Sequence, residues 1–241
     1  MAGIIYCNSG LAAAEAVADF ALAMIISTFR HIPWCTTAAS SPSAFADCHA
    51  RATAASHNLR GHVLGIIGLG NIGQQIATRC RHGFGMVVHY HDVERKEKAV
   101  EEPLGAVFHE TLEGLIRASD CVVLCTPSGE KVVTRETLKW FKDGGRFVNV
   151  ARGSLVDEEA LAEALEEGRI AAVALDVHAD EPRVSERLRA FAGSKAMLTC
   201  HNAGGTVETH RGFEELSMRN IMAVLAGGEA ITPVNLHYLR K

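Results

Sequence analysis

Residues 63–77 read VLGIIGLGNIGQQIA. A β-branched, apolar run from Val63 to Ile67 meets three glycines spaced Gly68-x-Gly70-x-x-Gly73, and a segment of helical composition follows. In a strand–turn–helix of this kind the first glycine makes the tight turn. The second lets backbone approach a pyrophosphate, and the third lets helix and strand pack closely. The helix start offers unpaired N–H groups and the positive end of its dipole to phosphate. Glycines alone also make ordinary turns, so the surroundings decide. Asp92 closes the next apolar run, 19 residues after Gly73. A carboxylate there binds the two hydroxyls of an adenosine ribose and repels a 2′-phosphate. The stretch therefore predicts a dinucleotide site, with NAD favoured over NADP; Arg95 and Lys96 lie close enough to keep NADP open.

Outward from this stretch a rhythm runs down the chain. Apolar runs at 63–68, 86–91, 121–125, 146–151, 171–177 and 196–200 alternate with helix candidates at 71–83, 93–101, 111–118, 134–141, 157–167 and 206–226. Strands that are apolar throughout and separated by helices predict a parallel sheet covered on both faces. The fold class is α/β, a doubly wound, Rossmann-like parallel sheet, with residues 1–241 as one nucleotide-binding and catalytic domain. Residues 1–30 read as a connecting strand and an apolar helix packed on that domain, with Asn8 or Ser9 as its cap. Residues 31–60, rich in Ala, Ser, His and Thr, read as an irregular connection or a surface or dimer arm.

Composition excludes several classes. The chain has 241 residues, 48% hydrophobic and 22% charged, with a net charge of −4 and no basic block, so neither nucleic acid nor an acidic membrane is an expected partner. Glu15 and Asp19 interrupt the apolar segment 11–28, and no basic residue precedes it, which argues against a signal or membrane span. The seven cysteines are scattered without zinc-ligand spacing, so no metal is expected. They read as reduced thiols of a cytoplasmic protein.

In an open parallel sheet, ligands bind beyond the carboxyl ends of the strands. Arg152 follows the run 146–151, Asp176 and Glu181 follow 171–175, and His201 follows 196–200. These residues suit one reaction. A guanidinium offers forked donors to a carboxylate and carbonyl. An imidazole gives or takes the alkoxide proton near neutral pH, and a neighbouring carboxylate orients it. Singly, each residue has an ordinary alternative: a surface ion pair, a loop carboxylate, a polar strand end. At three strand ends of one nucleotide fold, those alternatives lose weight together.

The motifs GIIGLGNIG, CTP, NVARGSLVDEEAL, ALDVHADEP and HNAGG, with EAVADFALAMIISTFR upstream, resemble the D-isomer-specific 2-hydroxyacid dehydrogenase family in order over residues 3–236. HNLRGHVLGIIGLGNIG and TPVNLH resemble its fungal D-mandelate dehydrogenase-like branch most. The resemblance implies interconversion of a 2-oxo acid and a (2R)-2-hydroxy acid with NAD. It implies that Arg152 binds substrate, that Glu181 partners the histidine and that His201 is the acid/base. It places Asn71 and Ile72 at the pyrophosphate, Asp92 at the ribose, and Thr126 and Pro127 near the adenosine. Val150 and Ala151 would line the cofactor, with Asp176 near the nicotinamide and the Gly204 backbone passing close to it. A homodimer is also implied. Two departures stand out: SGEKVV after Pro127 is shorter than in many relatives, and MAGIIYCNSG resembles sequence just after the family's substrate-domain segment. The expectation is a chain lacking most of that domain and turning over poorly. The alternative is an NAD(H)-binding regulatory or interaction protein of the same fold.

Overall fold

The computed structural model describes residues 4–236. Three helices come first: α1 (Gly10–Arg30), α2 (Ile32–Ala38) and α3 (Pro42–Ala55). Seven strands follow: β1 (Val63–Ile67), β2 (Val87–His91), β3 (Val107–Phe108), β4 (Cys121–Leu124), β5 (Gly145–Asn149), β6 (Ile170–Leu175) and β7 (Ala196–Leu198). They pair in parallel in the order β3-β2-β1-β4-β5-β6-β7. β1 lies between β2 and β4, so the winding direction reverses there and the carboxyl ends of β1 and β4 part around a crevice.

The crossovers carry α4 (Asn71–Thr78), α5 (Lys98–Leu104), α6 (Leu112–Ala118), α7 (Arg135–Leu138), α8 (Glu158–Glu166) and α9 (Glu186–Arg189), and α10 (Val207–Leu225) follows the last strand. Alternate strand residues feed two cores, one on each face of the sheet. Leu64, Ile66, Val88, Tyr90 and Val123 pack with α1 and α4. Ile67, Val122, Leu124 and Phe147 pack with α6 and α8. Burying each such side chain stabilises the fold by about 1.5–3 kcal/mol, which fixes the strand ends that carry the site.

Helix α1 is long and apolar enough to cross a membrane, with a mean hydropathy of 1.7. Its sequence reads as apolar nearly all round, but one stripe is buried. Ala14, Val17, Ala18, Ala21 and Ile25 recur at helical spacing and face α4, β5, β6 and α10. It is therefore a covering layer of the sheet. Ser9 precedes it without a side-chain cap bond, and the Asn8 side chain accepts from the Gly10 amide at 3.3 Å.

Several elements differ from the sequence expectations for physical reasons. The connecting strand expected within residues 1–30 is a single antiparallel bridge, Cys7 with Pro233; residues 1–3 of that span lie outside the described residues. Residues 31–60 are not irregular but carry α2 and α3. Ser41 caps α3 and Pro42 occupies its first turn, a start signal that the mixed composition obscures. No residue of α3 is buried, so it lies on the surface. The helix expected from 93 begins at Lys98, because residues 92–97 are tied into side-chain contacts around Asp92 and Tyr90. The 71–83 helix ends in a π-turn over Arg79–Gly83. β3 is two residues long, too short for any periodicity.

Candidate active site

The glycine loop is built by backbone sterics. Gly68 has φ +94°, and a Cβ there would press on the Cys125 carbonyl and the Thr126 methyl. A Cβ on Gly73 would overlap the Gly68 carbonyl oxygen, so this glycine seats α4 against β1. Around Gly70 a Cβ would meet nothing within 4 Å. No side chain caps α4, so its first amides, at Asn71 and Ile72, face the crevice unpaired by any cap.

Two adjoining cavities, about 1050 and 770 Å³, form one cleft along the carboxyl ends of the strands, sharing Gly10, Ile72, Val150 and Arg152. The larger part is lined by Gly68, Gly70, Asn71, Asp92, Thr126, Pro127 and Ala151. The smaller part is lined by Asp176, His201 and Gly204. Of the residues singled out from sequence, Gly73 sits beneath the loop rather than on the cleft wall, and Glu181 reaches the cleft only through His201.

A dinucleotide fits this cleft on three observations. The space at Gly70 and the uncapped α4 amides suit a pyrophosphate. The Thr126 hydroxyl is buried with no hydrogen-bond partner among the described residues, beside Gly68. A buried hydroxyl of this kind calls for a polar ligand atom. At the carboxyl end of β2, Asp92 accepts from the Leu69 amide at 2.9 Å and the Val93 amide at 2.8 Å, and pairs with Lys96 at 2.9 Å. Its carboxylate is therefore fixed at the cleft wall.

The other end of the cleft carries the polar trio. Asn149 is fully buried at the end of β5; its amide donates to the Arg152 carbonyl at 3.0 Å and its oxygen accepts from the Ala151 amide at 3.0 Å. This bracket turns Arg152 out into both halves of the cleft. Asp176, 1% exposed, accepts from the Thr199 hydroxyl at 2.6 Å and from the Asn202 and Ala203 amides at 2.9 and 2.8 Å. Its own carbonyl accepts from the His201 amide at 2.7 Å. These four bonds hold His201 at φ +53°, a left-handed conformation that non-glycine residues rarely adopt. Asp176 thus shapes the histidine loop as well as lining the cleft. Neither this role nor that of Asn149 is signalled by spacing.

His201 Nδ1 lies 2.8 Å from Glu181 Oε2. The other Glu181 oxygen accepts from the His178 amide at 3.0 Å. The His201 hydrogen bond holds the Glu181 carboxyl below the usual carboxylate range; burial, the next effect in size, opposes it, and the His178 amide adds a smaller lowering. An ionised carboxylate only accepts, so Nδ1 carries a proton and Nε2 is the atom that gains or loses one. His201 Nε2 makes no hydrogen bond among the described residues. The His178 imidazole, buried beneath the pair, bonds through Nε2 to the Thr199 carbonyl at 2.8 Å.

A glycine-loop crevice at the strand reversal, with a guanidinium and a carboxylate-held imidazole at its far end, defines a dinucleotide-dependent oxidoreductase. Residues 22–203 match the D-isomer specific 2-hydroxyacid dehydrogenase NAD-binding domain, and the chain belongs to this family. Its members act on the CH–OH group of 2-hydroxy acids. The chain is 36% identical to the glyoxylate reductase of Thermococcus kodakarensis over 242 residues, covering 97% of this chain and 70% of that protein. The holo form of Rhodotorula graminis D-mandelate dehydrogenase superposes with a TM-score of 0.92 at 37% identity, over 96% of this chain and 68% of that one. An NADPH-dependent glyoxylate/hydroxypyruvate reductase from Sinorhizobium meliloti, solved with NADP and malonate, superposes with a TM-score of 0.79 at 33% identity, over 96% of this chain and 70% of that one.

Proposed function

We propose that the chain interconverts a 2-oxo acid and its (2R)-2-hydroxy acid, with NAD(H) rather than NADP(H). The observation that carries this is the placement of Arg152 and of the Glu181-held His201 on one cleft, beyond an NAD-binding glycine loop. Bound dinucleotide supplies the hydride acceptor or donor at the nicotinamide. Gly70, Asn71 and Ile72 hold its pyrophosphate, Asp92 its adenosine ribose, and Thr126 with Pro127 the adenosine wall. Arg152 grips the substrate carboxylate and carbonyl through its forked N–H groups. In the reducing direction His201 Nε2 donates a proton to the carbonyl oxygen; in the oxidising direction it removes the hydroxyl proton. Glu181 keeps the ring oriented, with Nε2 turned to the substrate oxygen. Preference for NAD rests on the Asp92 carboxylate at the ribose end of the cleft.

The catalytic end is open: the His201 and Glu181 side chains are 48% and 36% exposed. Water therefore competes for the proton and weakens every charge interaction at the reacting atoms. Turnover by the 241-residue chain is expected to be slow for this reason. Glyoxylate and phenylglyoxylate are the natural first substrates, as the oxo acids that glyoxylate reductase and mandelate dehydrogenase relatives point to. The test is incubation with NADH and a panel of 2-oxo acids, followed by chiral analysis of the products. A (2R)-hydroxy acid from a prochiral substrate supports the assignment; NADH binding with no product from any acid overturns it.

A further inference from the structure

The loop after β2 carries two cations, Arg95 and Lys96, next to the carboxylate that would meet the ribose. A guanidinium in this loop is the group that accommodates a 2′-phosphate in NADP-binding relatives of this fold class. Here that guanidinium is engaged elsewhere. Arg95 Nε and Nη2 both donate to the Glu101 carboxylate at 3.0 Å, a two-point grip. Glu101 is a nearly buried acid on α5, 7% exposed. It is anchored from below by the hydroxyl of fully buried Tyr90, which donates to Oε1 at 2.6 Å and accepts from the Lys96 amide at 2.8 Å. The Arg95 guanidinium lies 5.8 Å from the centre of the Phe108 ring. His91, Asp92, Val93 and Lys96 line the cleft, whereas Arg95 does not. The loop's other cation, Lys96, is spent on Asp92.

Resting on the NAD assignment above, we propose that Glu101 is a cofactor-specificity residue: by clamping Arg95 onto α5, it withholds from the cleft the one guanidinium of this loop that can meet a 2′-phosphate. Selectivity then has two parts. Asp92 repels the phosphate, and Glu101 removes the group that would compensate. The clamp is two-point and its acid is shielded and anchored by Tyr90, while the Arg95 side chain is 63% exposed; what holds Arg95 on α5 is therefore the forked pair and not burial. A side chain held by a forked pair to a shielded carboxylate gives up both bonds when it turns away.

Glu101→Gln tests this directly. The amide keeps an oxygen for Tyr90 and replaces the second acceptor by a donor that faces the guanidinium. Kd values for NADH and NADPH are measured by calorimetry on the 241-residue chain, with circular dichroism as the check on folding. The expected result is a fall of about tenfold in the ratio of the NADPH to the NADH Kd, through tighter NADPH binding, the size of one charged hydrogen bond. Adding Arg95→Ala to Glu101→Gln should restore the original ratio. Arg95→Ala alone should leave the ratio unchanged, since a clamped guanidinium contributes nothing to phosphate. A folded Glu101→Gln variant with an unchanged ratio overturns the proposal. So does a loss of NADPH affinity in Arg95→Ala alone, which decides the question even where Glu101→Gln fails to fold. A wild-type chain that binds NADPH more tightly than NADH contradicts the NAD assignment itself and is read separately from these changes.

Discussion

Glu181 Oε2 and His201 Nδ1 are 2.8 Å apart, and the second Glu181 oxygen is held by the His178 amide at 3.0 Å. Both oxygens of the carboxylate are thus used to aim one imidazole. The pair also sets a pH dependence whose sign is fixed. Glu181 ionises below the usual carboxylate range, first because of the His201 hydrogen bond. An acid with a depressed folded value contributes its stabilisation above the ordinary carboxylate range, and loses it only as pH falls through the lowered value. In a carbon-13 titration of labelled glutamates, Glu181 should titrate below the ordinary carboxylate range, and His201→Ala should bring it back toward that range. Titration of Glu181 within the ordinary range in the unmodified protein would count against the pair. Glu181→Gln should lower kcat by about 10²-fold.

The glycine loop separates into a packing glycine and a ligand glycine. Gly73→Ala sets a methyl against the Gly68 backbone and should cost about 1–3 kcal/mol of stability in denaturant unfolding. Gly70→Ala meets open space, so its unfolding midpoint should stay near wild type while NADH affinity falls about tenfold or more. Equal stability losses in both variants would mean that the space at Gly70 is not reserved for a ligand.

Asp176 acts on His201 through backbone. Asp176→Asn replaces one acceptor oxygen by an N–H donor facing the Asn202 or Ala203 amide, or the Thr199 hydroxyl. The left-handed turn at His201 then loses support, at a cost of about 1–3 kcal/mol for the unsatisfied buried group. The expected kinetic signature is a fall in kcat larger than any change in NADH Kd.

Arg152→Lys keeps the charge and loses the fork. The KM for a 2-oxo acid should rise about 10- to 100-fold, the range of one or two charged hydrogen bonds, with NADH Kd unchanged. A KM unaffected by the change would remove Arg152 from the substrate contacts.

Thiol chemistry reports on the core between the sheet and helices α1 and α4, which holds both Cys80 and Cys121. Burial pushes the Cys80 and Cys121 thiols up to about 12, and neither has any exposure. Both should stay silent toward a thiol reagent at neutral pH until the sheet unfolds, whereas exposed Cys200 should react at once. Rapid labelling of Cys121 in the native protein would mean that β4 is not at the centre of the sheet.

Legibility followed the physics of each element. Central strands buried on both faces must be apolar runs, so β1, β4, β5 and β6 are written plainly in the chain, and the half-buried β2 and edge strand β7 still carry enough apolar residues to show. β3 escapes because two edge residues carry no period. α3 escapes because its Ser41–Pro42 start sits in a stretch that otherwise looks irregular. At the site, Arg152, Asp176, Glu181 and His201 are legible because the fold puts ligands beyond strand ends. The aim of Asp176 at three donors across a loop, the Asn149 bracket and the Glu101 clamp are not. They depend on side-chain directions between elements distant in sequence, and no local spacing encodes them.

The central claim is that His201 moves the substrate proton while the dinucleotide site stands independently of it. A single-turnover experiment with enzyme-bound NADH and excess 2-oxo acid, run on wild type and on His201→Ala, tests it most directly. The account predicts NADH oxidation slowed by about 10²–10⁴-fold in the variant, with NADH Kd within about twofold of wild type. A variant that oxidises NADH at the wild-type rate would contradict it.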